Sequence, residues 1–463
     1  MSRLKSLAKD TVVFGVGTGL SKLILFFLLP MFAVAMSVES YGLAELVVSV
    51  VSIVMPIMTL QISDAVFRFA IEDEHSRVMA YRLGFLIVSV GTILLGLVCA
   101  IASAIVPFDY YFDFFLLYTV ASYSQLMKYY IRGLGHVALF AFSGVANAAA
   151  VAVCGAITVL VLGLDVHGYL VSFAAGYAIE LFVVAIVDRK YVLCFGKLDM
   201  KVSRDALRYA LPLIPNAISW WFAGVSSRYF LTFFCGLAAS GLFSAAYKLS
   251  AVINALTDVF AKAWQYSAAK EFTSKDKDVF YREAFLVYEF FLSFVVSIAI
   301  LFMKPFCTLL LAGGFSKAWV FAQFLLISAM LSGYSSFFGV FYGAAKKNAM
   351  VMISTIVGAI TCVVLNLVLL PSVGEIGSVL ANCAATFCIA AIRAFDTRRF
   401  ASGCFSWKRT TAILALLATE AVCLTMADGN IVLGAIFVPL VIGCNHEALK
   451  AVSLLVVGKL KAK

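Results

Sequence analysis

Apolar runs long enough to cross a bilayer recur from one end of this chain to the other, and they limit its fold more than any motif does. About twenty helical residues at about 1.5 Å rise each span the hydrocarbon, so each run is a transmembrane helix candidate. The sequence predicts fourteen spans, from 11–35 and 43–66 to 411–427 and 430–449, with twelve as the alternative count. Composition agrees: 63% of residues are hydrophobic and 13% charged. A soluble domain carries about twice that charge share. The expected fold is an all-α integral membrane protein.

The basic residues set the orientation. Of 35 Lys and Arg, thirty fall on the side of the N-terminus, in clusters such as 189–208, 262–282 and 393–409, and two, Lys304 and Lys317, fall opposite. That asymmetry follows the positive-inside rule and predicts cytoplasmic termini. The net charge of +10 is thereby a matter of topology and calls for no nucleic-acid partner. The basic start and apolar run at 11–35 resemble a signal peptide, but the run is too long for one and Lys22 interrupts it. We read it as an uncleaved first span.

Three cations remain inside apolar runs: Lys22, Arg228 and Lys248. A cation at the bilayer centre costs about 2.5–3.5 kcal/mol on insertion scales, so such residues face a protein interior or wet cavity. Lys22 lies about 20 Å along a helix from Lys9, and Lys248 about 15 Å into its span. Together they suggest an anionic passenger. Each also has a local alternative: Lys22 pairing with Glu45, Arg228 reaching the outer interface, Lys248 bonding a helix carbonyl. Lys128 and Arg132, four apart at the inner end of the fourth span, are candidates for a cytoplasmic entry. Asp64 with Arg68 and Asp258 with Lys262 are i,i+4 pairs suited to inner gates. Glu45, Glu180, Glu289 and Glu420 lie in apolar runs, where one could bind a coupling proton or sodium ion. Eleven cysteines form no CxxC pair and four histidines no ligand spacing, so neither a metal site nor another cofactor is expected. No loop between spans is long enough to hold a catalytic domain, which predicts a transporter rather than an enzyme.

An internal repeat orders the spans. Asp64-x-x-x-Arg68 recurs as Asp258-x-x-x-Lys262, and Arg132-Gly133-Leu134-Gly135-His136 is matched by Tyr342-Gly343-Ala344-Ala345-Lys346, at offsets of 194 and 210 residues. The predicted plan is a six-helix bundle at 1–190, a cytoplasmic linker at 191–207, a parallel bundle at 208–395 around a central cleft, and two further helices with a tail at 396–463. Transporters of this plan bind substrate near mid-depth and rock one half against the other.

Leu7-Ala8-Lys9-Asp10, Tyr41-Gly42-Leu43, Leu211-Pro212-Leu213-Ile214-Pro215-Asn216, Ser227-Arg228-Tyr229-Phe230-Leu231 and the run 241–248 carry a resemblance along essentially the whole chain. It resembles the Wzx-type polysaccharide flippases of the multidrug/oligosaccharidyl-lipid/polysaccharide (MOP) exporter superfamily, with a MATE-like fold. The resemblance implies transfer of undecaprenyl-pyrophosphate-linked repeat units to the outer leaflet of a bacterial cytoplasmic membrane, for O-antigen, capsule or exopolysaccharide. It also implies possible partners among other polysaccharide-assembly membrane proteins. One departure is Ser227, where the family often has an acid before its arginine. A multidrug/cation antiporter, a lipid II flippase and an integral-membrane polymerase or glycosyltransferase are the alternatives.

Overall fold

The structure is a computed structural model. It describes residues 2–187, 196–272, 274, 276–345 and 349–448; of these, the side chains of residues 2–16, 18, 187, 262, 263, 266, 269, 270, 343 and 344 lie outside the description. All its regular elements are helices, and the chain divides into two compact units, residues 1–221 and 222–463.

The first unit holds α1 (Ser2–Ala35), α2 (Val38–Met58), α3 (Ile62–Ala70), α4 (Glu74–Ile105), α5 (Tyr111–Gly133), α6 (Val137–Gly155), α7 (Asp165–Val187), α8 (Met200–Ala210) and most of α9 (Leu213–Gly224). Helix starts follow local chemistry. Ser37, Asp73 and Asp199 each accept a backbone N–H of the turn they open. Such caps satisfy donors that helix geometry leaves orphaned. Pro56 removes a backbone donor near the end of α2, which stops at Met58. Leu60 and Gln61 then adopt left-handed φ of 50° and 53° before α3 begins. Gly91 of α4 lies so close to this break that a Cβ there would stand 2.4 Å from the Met58 carbonyl oxygen. Helices also approach closely where α1 meets α6: a Cβ on Gly17 would fall 2.5 Å from that of Ala141. Small residues at helix crossings are the usual device for packing inside lipid.

The second unit holds the rest of α9, then α10 (Ser226–Cys235), α11 (Leu237–Glu271), α12 (Lys277–Leu310), α13 (Ala318–Ala344), α14 (Ala349–Val373), α15 (Ile376–Asp396), α16 (Trp407–Met426), α17 (Ile431–Gly434) and α18 (Phe437–Cys444). The pairings run in the same order in both units. In the first, α5 and α6 pack on α7; in the second, α13 and α14 pack on α15. An aromatic stack joins α11, α12 and α13, with Phe260 4.1 Å from Tyr288 and Trp264 4.4 Å from Phe337, ring centre to ring centre. The last helices, α16 and α18, pack against α12.

Among the described residues, nine helices are long and apolar enough to span a membrane, against fourteen spans expected. The difference has visible causes. The first and last expected spans contain shorter apolar helices, Gly19–Ala35 and Ile431–Cys444. The seventh is split between α9 and α10 near Val225, and α5 carries Asp113, Lys128 and Arg132 among its apolar residues. On α4, Ile93, Leu97, Ile101 and Ile105 form an exposed apolar stripe, each more than half accessible. That face fits contact with lipid tails, and the protein is a multi-pass membrane protein.

Candidate functional site

In the first unit, α1, α5, α6 and α7 enclose a cavity of about 270 Å³. Lys22 comes from α1, Lys128 from α5, Asn147 from α6 and Glu180 from α7. Gly144 keeps the wall thin: a Cβ there would be 3.4 Å from the Ser21 hydroxyl and 3.5 Å from the Lys128 ammonium. Lys128 Nζ lies 2.5 Å from Glu180 Oε1, and the Ser124 hydroxyl donates to Glu180 Oε2 at 2.7 Å. The Lys128 ammonium also sits 4.9 Å from the Phe140 ring centre. Lys22 is exposed. The named charged lining is thus two lysines and one carboxylate. Asn147 adds a buried amide Nδ2 with no partner among the described residues. An orphaned buried donor is costly unless a ligand or water takes it. Cationic charge, a spare amide donor and a hydroxyl together suit a phosphate or a hydroxyl-rich sugar.

The structure brings Lys22 and Lys128 to one cavity, a juxtaposition that sequence spacing does not show. Arg132 packs over Phe67 and Phe140, at 4.6 and 5.8 Å. Asp64 hydrogen-bonds Gln61 and feels the Arg132 charge, whereas Arg68 pairs with Glu72 at 3.0 Å. Glu72, four residues on from Arg68, is thus its ion-pair partner, and both side chains are exposed. Glu45 is buried on α2 and accepts the Tyr169 phenol.

In the second unit, the break near Val225 positions Arg228 at the start of α10. Arg228 is buried, with its guanidinium 5.7 Å from the Tyr247 ring centre. Lys248 is the next residue of α11 and is half-buried. Ser227, where the resemblance leads one to expect an acid, takes the Asn366 amide at 3.2 Å. Glu289 of α12 pairs with Arg409 of α16 at 2.7 Å and accepts the Thr410 hydroxyl at 2.5 Å. Asp258 is exposed on α11, and the side chain of Lys262 lies outside the described residues.

Sequence reasoning missed two residues. Asn147 stands in an alanine-rich helix, where a lone amide inside an apolar span was the available signal. Arg393 was grouped with the cytoplasmic basic cluster, yet it is buried. It donates to the Ser354 and Thr355 hydroxyls and to the Ser335 and Val351 carbonyls, tying α13, α14 and α15 together.

Two acids outside the spans have displaced titrations. The Ser76 amide and hydroxyl hold Asp73 below the ordinary carboxylate range. His75, followed by the Lys201 and Val202 amides, does the same for Asp199, 3.0 Å from the His75 ring. That contact links the start of α4 to the start of α8.

Solved structures with this fold are membrane transporters. The lipid II flippase MurJ, in an inward closed conformation, aligns with a TM-score of 0.68 at 12% identity, covering 97% of this chain and 100% of that one. An inward-facing multidrug resistance MATE family transporter of the MOP superfamily aligns at 0.61 and 13% identity, covering 84% and 94%. A Vibrio cholerae MATE transporter aligns at 0.57 and 14% identity, covering 86% and 99%. None of the curated proteins matches the sequence. The family model for polysaccharide biosynthesis proteins matches residues 7–264, more than half of the chain. The chain has the fold of these transporters and belongs to the polysaccharide biosynthesis protein family.

Proposed function

We propose that this protein is a flippase for lipid-linked oligosaccharides, carrying an undecaprenyl-pyrophosphate head group from the inner to the outer leaflet of a bacterial cytoplasmic membrane. Both termini are cytoplasmic in this reading, and the product feeds O-antigen, capsule or exopolysaccharide assembly. The observation that carries it is the cavity where Lys22 and Lys128 meet one carboxylate and the unpartnered Asn147 amide. The lysines offer point charges to a pyrophosphate, and Asn147 offers a donor to a sugar hydroxyl or phosphate oxygen. Within the second unit, Arg228 and Lys248 are further candidate cations for an anion, with arginine able to supply forked hydrogen bonds. Transport alternates exposure of the head group between the two leaflets while the lipid tail stays in the bilayer. An inside-negative potential favours outward movement of an unescorted anion by about 2.3 kcal/mol per charge per 100 mV.

The likeness to MurJ makes lipid II a second reading, since that lipid carries the same pyrophosphate. Antiport of cationic drugs fits less well, because a net positive lining repels such cargo. The test is leaflet translocation of a fluorescent undecaprenyl-pyrophosphate oligosaccharide in proteoliposomes, with lipid II alongside. Wild type should move the oligosaccharide, and Lys22→Ala/Lys128→Ala should lose most of that activity while remaining folded. Movement of lipid II alone would change the substrate, and movement of neither would sink the flippase reading.

A further inference from the structure

Of the four candidate glutamates Glu45, Glu180, Glu289 and Glu420, three have defined polar partners: Glu45 takes the Tyr169 phenol, Glu180 takes Lys128 and Glu289 takes Arg409. Glu420 differs. It is fully buried in α16, its Oε2 accepts the Ser297 hydroxyl of α12 at 2.8 Å, and its Oε1 has no partner among the described residues. The helices packed on α16 are α12, α13, α17 and α18. On α12, Glu289 is already paired, Lys304 bonds Asp428, and the remaining charges lie at 277–283. α13 offers the amide Gln323 and the phenols Tyr334 and Tyr342; α17 carries no ionisable group, and α18 only Cys444. The nearest paired cation, Arg409, begins α16 eleven residues earlier, about 16 Å along the helix.

A buried carboxylate with one hydroxyl donor and an empty oxygen is poorly compensated as an anion. A proton is the smallest ligand that corrects this, and it would occupy Oε1, the oxygen left without a donor. Arg409 is held at Glu289, so it does not supply the missing charge. We propose that Glu420 is the binding site for a transported proton, placed in the helices that follow the two repeats, and that Ser297 positions its carboxyl. Proton uptake forms the O–H bond at Oε1 and leaves the Ser297 bond to Oε2 intact; release restores the anion, which a tightly packed helix pair accommodates poorly. The occupied and empty forms therefore favour different packings of α16 on α12. Coupling of that change to transport rests on the flippase reading above.

Two measurements on the full-length protein separate the claims. In infrared difference spectra recorded through a pH titration without substrate, subtracting the Glu420→Gln series from wild type should leave one protonated carboxylic band, that of Glu420. In proteoliposomes, a proton gradient should accelerate head-group translocation by wild type about tenfold, an ordinary coupling strength. Glu420→Gln should translocate at the ungraded rate with or without the gradient, and Ser297→Ala should shift the pH at which the band titrates. A wild-type-minus-variant spectrum with no protonated carboxylic band, or a gradient response that persists in Glu420→Gln, overturns the proposal. So does a response to sodium alone. If wild type moves no head group, the flippase reading fails, while the infrared band still decides whether Glu420 takes the proton.

Discussion

Two buried ion pairs do the same chemistry in different surroundings. Lys128–Glu180 lines a cavity, and its lysine side chain is 24% exposed. Arg409–Glu289 joins α12 to α16 with its carboxylate fully buried, and the arginine also reaches the exposed Glu447 at 3.2 Å. The first pair can exchange partners with an incoming anion, because its cation already reaches open space. The second keeps its carboxylate inside the packing of α12 and α16, and its value is to neutralise Glu289 there. An acid–base pair inside a membrane bundle is therefore read from what adjoins it, since the pairing alone does not distinguish a binding site from a structural clasp.

The largest effect should come from breaking the Arg409–Glu289 pair. Arg409→Ala strands Glu289, a loss of about 3–5 kcal/mol for a buried pair. Thermal unfolding in detergent should show a marked fall in midpoint, with Glu289→Gln/Arg409→Met recovering much of it. Lys128→Met should cost less stability, about 1–2 kcal/mol, yet reduce translocation more than its stability loss explains. Equal damage to folding at both sites would dissolve the contrast.

Glu180→Gln sharpens it from the other side. Removing the cavity's carboxylate releases Lys128 and should tighten head-group binding by about 1–2 kcal/mol at an effective dielectric near 20. The gain should shrink in high salt. Fluorescent head-group titration at two ionic strengths would show it, and weaker binding would assign Glu180 to substrate recognition instead.

Outside the membrane helices the expected effect is smaller and depends on pH. The Asp199 carboxyl is depressed in the folded protein, so its contribution is present above the unfolded value and lost as pH falls through the folded one. Hydrogen exchange at the start of α8, corrected for intrinsic rate, should rise below about pH 4 and be unaffected near neutrality. Asp199→Asn should flatten that dependence. Smallest of all, Leu60→Gly should relieve part of the roughly 1 kcal/mol or more held in a left-handed leucine. A lower unfolding midpoint would show that the leucine side chain contributes more there than its backbone costs.

Much of the fold was legible because lipid imposes long apolar runs, and these place most helices directly. The breaks were less so. Pro56 is a local cause for the end of α2, but the close approach of Gly91 on α4 to Met58 beside the Leu60–Gln61 reversal joins residues 33 apart in sequence. The site was legible in part. Lys22 and Lys128 stood out singly as charges, while their meeting required α1 and α5 both to pack around α6. Arg393 was hidden for a similar reason: position near a span end reads as surface, and only the hydroxyls and carbonyls of three helices make it interior.

Glu289, Ser293 and Ser297 recur every fourth residue on α12, and each is met from the last helices: by Arg409 and Thr410, by Asn445 at 3.2 Å, and by Glu420. This stripe changes what a shortened relative could look like. A chain that ended after α15 would present a carboxylate and two hydroxyls of α12 to hydrocarbon. Loss of the final helices during evolution would thus demand simultaneous replacement of that stripe by apolar residues. The tail and the face beneath it must be inherited as a unit.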